Sequence, residues 1–486
     1  MKLTEIMEGV NVQDWQGSRQ TEVSALAYES NRVEPGSVFC TWKGQVKDGH
    51  AFVPDAVKRG AVAVVAEKRI ADLKVPGIRV ENGRRALGRM AANFYGNPSR
   101  QVRVVGVTGT NGKTSTAMLL QSLLEMGGLR SGLLGTVVND TGKGQVAAKH
   151  TTPEGLDLQH FLAEMRENGC RAAAIEVSSH ALDQGRTEGV EFAGAIFTNL
   201  GRDHLDYHQT LEAYEGSKAQ LFRGLGSKAF AVINAEDPAG IRIASQCAPG
   251  VRIMRYGVER GDVCVRDLKM GTGGSSFVLC APEGEVAATL PWMGRFNVAN
   301  AMAAAAGALA SGVPLEKVAA GMGRAPAVPG RMERVAGPQE ITVLVDYAHT
   351  EDAVRAAMET LRPLTRAKLW VVLGAGGDRD KGKRPKMAAA AESLADELIL
   401  TSDNPRNEDP KVILQEMKSG LSAGSRVLVI ENRSEAIRTA VLGAGSGDVV
   451  LIAGKGHEEF QEMRGTKLPF SDRREAERAW AERGGR

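Results

Sequence analysis

Residues 106–116 read Gly-Val-Thr-Gly-Thr-Asn-Gly-Lys-Thr-Ser-Thr, directly after an apolar run and at the start of a helical one. Small residues at such a junction let backbone N–H groups approach phosphate oxygens, and the helix N-terminus adds a favourable dipole. Gly109, Thr110, Asn111 and Gly112 would form the cradle, with Lys113 reaching the terminal phosphates and the Thr114 hydroxyl ligating Mg2+. Val107 stands where the general phosphate-loop pattern has glycine, so that pattern fails at one position while its Gly-Lys-Thr end holds. Glu176 ends the apolar run Ala172–Val177 and is the kind of hard carboxylate that suits Mg2+. His204 lies in Asn199–His208, after the next apolar run. By spacing alone it is as readily a structural histidine, and Lys218 is one more lysine on a helix.

These residues need a scaffold, and the chain supplies α/β patterns in three segments. Residues 1–98 carry short apolar runs at Ser37–Thr41 and Ala61–Ala66 and a helical pattern at Gly83–Tyr95, predicting a small α/β domain. Asn97-Pro98-Ser99 punctuates the chain before residues 99–330. There, candidate strands Arg103–Val107, Ala172–Val177, Gly194–Thr198 and Lys228–Ile233 alternate with helical stretches such as Ser115–Met126 and Leu156–Asn168. That alternation predicts a central phosphate-loop domain with a mostly parallel sheet. Pro326 and Pro329-Gly330 mark the next boundary.

Residues 331–486 hold five apolar runs, Ile341–Val345, Leu369–Leu373, Glu397–Leu400, Arg426–Ile430 and Val449–Ile452. Amphipathic stretches separate them, which predicts a Rossmann-like doubly wound domain. Four of the runs lead into polar or glycine-rich loops at 346–349, 374–380, 401–406 and 454–459. Ligands of open parallel sheets bind beyond the strands' carboxyl ends, so these loops should share one ligand-facing edge.

Composition narrows the class. A net charge of +3 with mixed signs gives no basis for a nucleic-acid surface. The N-terminus lacks the apolar run of a signal peptide, and no stretch approaches the length of a membrane span. Five scattered cysteines without a C-x-x-C spacing fit a reducing compartment. The expectation is a cytoplasmic monomer that binds small molecules and engages neither nucleic acid nor membrane.

The form Thr-Gly-Thr-Asn-Gly-Lys-Thr resembles the phosphate loop of the Mur ligases and folylpolyglutamate synthetases, which form amide bonds through acyl phosphates. Further segments resemble Mur ligases along almost the whole chain. The resemblance implies that Glu176 and His204 hold metal ions and that Lys218, in Tyr214-Glu-Gly-Ser-Lys-Ala-Gln, is carbamylated. Gly294-Arg-Phe-Asn-Val-Ala-Asn300 is similar to the segment lying against the adenine, implicating Asn297 and Asn300. Gly330-Arg-Met-Glu333 and Asp346-Tyr-Ala-His349 imply that Arg331, Asp346 and His349 reach the nucleotide from the last domain.

Within the family the chain resembles the members that add diaminopimelate to a UDP-muramoyl dipeptide. His150-Thr-Thr-Pro153 and the run from Glu176 to Arg186 imply muramoyl-peptide contacts from Thr151, Thr152, Ser178, Gln184 and Arg186. Asp403-Asn404-Pro405-Arg406 resembles the motif that separates diaminopimelate-adding members from lysine-adding ones. The chemistry agrees, because a second amino-acid head carries a carboxylate suited to an arginine fork. Arg379, Gly454 and Glu458 match the remaining contacts to that head. The N-terminal segment departs from the family: Tyr28-Glu-Ser-Asn31 replaces an Asp-Ser-Arg type of sequence, keeping Ser30 as a candidate contact to the UDP moiety. The Lys43–Gly49 loop keeps its glycines and Asp48.

The implied activity is ATP-dependent ligation with Mg2+, using ATP, UDP-muramoyl dipeptide and diaminopimelate. A lysine-adding or folate-type ligase shares the phosphate loop but is disfavoured by Asp403–Arg406. A nucleotide switch without ligase activity is disfavoured by the mixed polar residues gathered at one sheet edge of the last segment.

Overall fold

The computed structural model describes residues 1–44, 47–271, 273–337 and 340–484. Gln45 and Val46 of the Lys43–Gly49 loop lie outside the described residues.

Three main sheets follow one another along the chain. The first has five strands, ordered Val12–Gln16, Gly77–Val80, Ala63–Ala66, Ser37–Thr41 and Ala25–Ala27. Its inner strands are parallel, and the Gly83–Phe94 helix lays Leu87 and Met90 against one face.

The second sheet has eight strands, in the order Arg252–Tyr256, Phe230–Asn234, Phe192–Phe197, Arg103–Thr108, Ala172–Glu176, Ser131–Leu134, Val138–Asp140 and Gln145–Ala147. The first six are parallel, and the last two add antiparallel hairpins at one edge. The strand that feeds the phosphate loop, Arg103–Thr108, sits between two parallel neighbours and is buried beyond its first residue. Continuous Val/Ala/Ile runs are what such doubly covered strands require. On one face the Lys113–Met126 helix packs beside the alanine-rich Arg295–Ala310 helix. The latter is buried almost all round. Its alanines and Gly307 allow close approach, since a Cβ at 307 would lie 2.8 Å from the Ile196 side chain.

The third sheet runs Glu333–Val335, Thr342–Asp346, Val449–Ala453, Leu369–Ala375, Glu397–Ser402 and Val427–Val429. Five strands are parallel and Glu333–Val335 is an antiparallel edge. Apolar clusters cover both faces, as a doubly wound sheet needs.

Several pieces lie outside the strands that the apolar runs announced. Glu333–Val335 is one. A three-stranded antiparallel sheet, Cys264–Gly271, Gly274–Ala281 and Gly284–Leu290, is another. The third is a hairpin, Phe460–Met463 with Thr466–Pro469, whose second strand is exposed throughout. No helix among the described residues is long and apolar enough to cross a membrane.

Candidate active site

The phosphate loop is built by two glycines in left-handed backbone. Gly112, at φ +83°, leads into the Lys113–Met126 helix, and a Cβ there would collide with the Asn300 carboxamide. Gly109, at φ +152°, would likewise collide with Thr198. The loop is thus closely backed by the neighbouring strand end and by the Asn300 helix, with Asn111 N donating to Asn199 Oδ1 at 2.9 Å. The Lys113 ammonium folds back onto the loop, donating to the carbonyls of Gly109 (2.8 Å) and Thr110 (2.9 Å). Burial lowers its pKa.

Two cavities flank this loop. One, of about 270 Å³, includes Asn111, Asn199, Asn297, Asn300 and Asp346 in its wall, with Phe296 and Ala299 as an apolar side. The other, of about 160 Å³, is lined by Lys113, Thr114, Thr151, Glu176, Ser178, His204 and Lys218, among others. They share Asn111, Gly112, Arg331 and Tyr347. Every residue expected at the nucleotide except Gly109 therefore lines one of the two cavities or both. Thr110 lines the second, and Gly109 backs it through its carbonyl.

In the second cavity the Glu176 carboxylate is buried, accepting from Thr114 Oγ1 (3.0 Å), Thr136 N (2.7 Å) and Thr136 Oγ1 (3.0 Å). A threonine hydroxyl against a carboxylate is a pair of hard oxygen donors, the set Mg2+ takes alongside water and phosphate oxygens. His204 stands across the cavity in left-handed backbone at φ +54°. Burial lowers its imidazole to about 3, leaving it neutral and able to offer a lone pair. Among the described residues no group of three or more His, Cys, Asp or Glu side chains is arranged to hold a metal ion. Lys218 is buried, with Nζ donating to the Gly109 carbonyl at 2.9 Å and lying 4.0 Å from the Tyr214 ring centroid. Burial and the neighbouring Lys113 charge lower its pKa strongly.

The residues expected at the muramoyl peptide form one hydrogen-bonded group, apart from Ser30. Thr152 Oγ1 donates to the Glu176 carbonyl (2.9 Å) and accepts from Ser178 N (3.0 Å), while the Thr151 and Thr136 hydroxyl oxygens are 3.1 Å apart. Arg186 donates to Gln184 Oε1 and the Thr152 carbonyl and pairs with Glu154 at 3.2 Å. Ser30 shares no hydrogen bond with this group; its hydroxyl helps hold the Asp55 carboxyl below its ordinary range. The N-terminal domain reaches the group through Arg84, which pairs with Glu154 at 3.4 Å, and through Tyr28, which donates to Asp157 at 2.7 Å.

Beyond the C-terminal sheet, Asp403–Arg406 and the 454–458 loop meet. Asn404 Nδ2 donates to Glu458 Oε2 (2.7 Å), and buried Lys455 donates to both Asn404 Oδ1 and Glu458 Oε2 at 2.9 Å. Burial raises the Asp403 carboxyl, but Lys455 and Arg433 outweigh it and hold it below its usual value. Gly454, at φ +116°, lets Asp403 approach; a Cβ there would lie 2.6 Å from Asp403 Oδ2. Pro405 passes its carbonyl against Gly377. Arg406 is in left-handed backbone at φ +53°, with one guanidinium N–H donated to the Gly377 carbonyl at 2.6 Å. Arg379 is exposed on the facing loop, and both arginines border Gly376.

Sequence reasoning passed over several groups. Asp203, beside His204, is buried within 3.5 Å of His349 and 3.6 Å of Lys383, both from the C-terminal domain. Burial raises its carboxyl, but His349, His204 and Lys383 together hold it well below the usual range. Arg433 is fully buried, forking onto Asp472 (2.7 Å twice) and onto the Ser402 and Ala453 carbonyls, so it ties two strand ends together. Lys455 was hidden inside a glycine-flanked run that reads as solvated loop. None of these had a local signal, because each acts through partners distant in sequence.

The domain models of one family account for most of the chain: "Mur ligase family, catalytic domain" matches residues 22–95, "Mur ligase middle domain" 107–308, and "Mur ligase, glutamate ligase domain" 330–456. The chain belongs to the Mur ligase family. Among family members, it is 45% identical over 471 residues to the UDP-N-acetylmuramoyl-L-alanyl-D-glutamate–2,6-diaminopimelate ligase of Geobacillus kaustophilus, covering 95% of this chain and 96% of the relative. It is 42% identical over 487 residues to the enzyme of the same name from Bacillus licheniformis, covering 99% of each. A solved structure of a UDP-N-acetylmuramoyl-L-alanyl-D-glutamate–2,6-diaminopimelate ligase superposes with a TM-score of 0.70 at 34% identity, covering 100% of this chain and 99% of that one. The three-domain α/β architecture is thus the Mur ligase fold.

Proposed function

We propose that this Mur ligase is an ATP-dependent enzyme adding meso-diaminopimelate to UDP-N-acetylmuramoyl-L-alanyl-D-glutamate, in cytoplasmic synthesis of peptidoglycan precursors. The full-length relatives of that name support the reaction. The observation that carries it is one chain of contacts through the expected subsites. Thr152 bonds the Glu176 backbone, the Glu176 carboxylate takes the Thr114 hydroxyl, and Thr114 accepts from Arg331 of the last domain at 3.4 Å. Muramoyl-peptide, phosphate and C-terminal groups are therefore contiguous.

In this reading the nucleotide spans both cavities, its base between Asn297, Asn300 and Asp346 and its phosphates at Gly109–Thr114. An oxygen of the D-glutamate side-chain carboxylate attacks the γ-phosphorus; ADP leaves, and an acyl phosphate forms. The uncharged amine of diaminopimelate then attacks the acyl carbon, inorganic phosphate departs, and the nitrogen loses a proton. Lys113 exchanges its loop carbonyls for phosphate oxygens and stabilises the transferring group. Thr114, Glu176 and His204 would hold Mg2+, which when bound neutralises phosphate charge. Lys218 would be carbamylated: its depressed pKa favours the neutral amine that can add to CO2, converting a buried cation into an anion at the metal site. At the acceptor, Glu458 would take the ammonium of the distal head and Arg406 with Arg379 its carboxylate, with Asp403, Asn404, Pro405 and Gly454 shaping the pocket. Ser30 remains the proposed contact on the UDP side, and the enzyme is proposed to work as a monomer.

Phosphate release with UDP-muramoyl dipeptide tests this directly, comparing diaminopimelate, lysine and ornithine as acceptors. Turnover dependent on both dipeptide and diaminopimelate is expected. Turnover with lysine but not diaminopimelate would reject the acceptor assignment, and ATP hydrolysis indifferent to both substrates would reject ligation.

A further inference from the structure

The Phe460–Met463/Thr466–Pro469 hairpin belongs to none of the three main sheets, yet it is joined to the Asp403–Arg406 loop by four hydrogen bonds. Gln461 Nε2 donates to the Asp403 carbonyl (2.7 Å) and Glu462 N to Asn404 Oδ1 (2.9 Å). Arg406 N donates to the Glu462 carbonyl (3.0 Å) and Arg464 N to the Arg406 carbonyl (2.7 Å). The last two bonds bracket a non-glycine residue at φ +53°, a conformation that persists where its surroundings fix it. With its own N–H and carbonyl both engaged, the Glu462 backbone is fixed against the Arg406 loop. Its carboxylate lies beside the Arg406 side chain, 3.6 Å from Nε.

We infer that Glu462 is a positioning residue for Arg406 and thereby sets acceptor specificity. The inference rests on the proposed diaminopimelate site and deepens it. An arginine fork recognises a carboxylate only if its plane is fixed. One terminal N–H of the guanidinium is hydrogen-bonded to the Gly377 carbonyl, and the Glu462 carboxylate forms an ion pair with Nε at 3.6 Å, which leaves the remaining terminal N–H groups for a ligand. Both side chains are partly exposed, 20% for Arg406 and 28% for Glu462, so a ligand can reach the fork. Without Glu462 the arginine stem keeps its place while the fork turns about the Gly377 bond. The cost falls on ligands bearing a carboxylate on the distal head and spares those without one.

The test is steady-state kinetics of the full chain with diaminopimelate and with high concentrations of lysine, which lacks that carboxylate. Glu462→Ala is expected to raise the diaminopimelate KM about tenfold, the scale of one weakened charge-assisted bond. Expected alongside are kcat within about twofold, lysine kinetics unchanged, and unchanged KM for ATP and dipeptide. Glu462→Gln keeps an acceptor opposite Nε and is expected to recover most of the loss. An unchanged or lower diaminopimelate KM in Glu462→Ala would overturn the inference, the lower value showing that Glu462 competes with substrate. Equal losses for diaminopimelate and lysine would also overturn it, showing general damage to the pocket. A wild-type enzyme that ignores diaminopimelate would remove the proposed function itself, and this inference with it.

Discussion

Replacing Arg406 isolates the acceptor carboxylate, provided the backbone is respected. Arg406 sits at φ +53°, where any residue with a Cβ, the native arginine included, carries about 1–2 kcal/mol of strain. Asparagine tolerates that region and is the better probe. Of the guanidinium's five N–H groups, one terminal N–H is committed to Gly377 and the Nε–H faces Glu462, leaving three, of which a carboxylate fork takes two. At about 1.5–3 kcal/mol for each bond to a charged partner, their loss is worth about 3 kcal/mol. That corresponds to a rise of about 100-fold in diaminopimelate KM. The proposed ATP phosphate site lies across the domain boundary, at Gly109–Thr114, so its KM should not move. Phosphate-release kinetics with each substrate varied in turn measure all three constants. A diaminopimelate KM within twofold of wild type for Arg406→Asn would refute the fork. Parallel losses for ATP would instead place Arg406 in the architecture of the domain.

Gly112→Ala puts a Cβ against the Asn300 carboxamide at φ +83°; ATP binding by calorimetry should weaken at least about tenfold while diaminopimelate KM holds. Unchanged ATP affinity would mean the loop relaxes freely. Lys218→Ala should lose about 100- to 1,000-fold in kcat, on the scale of one deleted charge-stabilising group, with partial recovery on adding a short carboxylic acid. A wild-type chain showing no carbamate signal under 13C-bicarbonate would remove the modification. Burial, with Arg331 and Lys455 nearby, lowers His457 to about 3. Its folded pKa is below the unfolded value, so the stability it contributes is present above about pH 6.5 and lost as pH falls from there toward 3. By pH 5 that loss is about 2 kcal/mol. Urea melts between pH 7.5 and 5 should show it, and His457→Gln should shrink the acid-induced drop. An unchanged drop would show that His457 takes up its proton in the folded state without penalty.

What was legible in the sequence was whatever the chain writes locally. The phosphate loop is dictated by small residues at a strand–helix junction, and Val107 does not disturb it because that residue is a buried strand position. The parallel strands announced themselves as apolar runs ending in polar loops, and those loops do share an edge. Arg406 was legible as a type and a motif, but its left-handed backbone was not, since the bonds fixing it come from a four-residue strand around Glu462 with no readable alternation. Asp203, next to His204 in the chain, carries no signal of its own. Its role depends on His349 and Lys383, which reach it only through the packing of one domain on another.

That packing also bears on turnover. Asp203 and Lys383 are both nearly fully buried, and Arg202 pairs with Asp380 across the same seam at 3.3 Å. A buried ion pair between domains adds little net energy, because desolvating both charges offsets most of their attraction. Misalignment is punished far more heavily, since either charge left buried alone is costly. Such contacts therefore select one relative geometry of the domains without making it hard to leave. An acyl phosphate needs the first property, because the acceptor amine must arrive in a defined direction and water must stay out. In the proposed cycle, release of ADP and product calls for the second, with the domains parting. An apolar seam of the same area would hold that geometry more tightly and slow that release, which gives a physical reason for charges at this boundary.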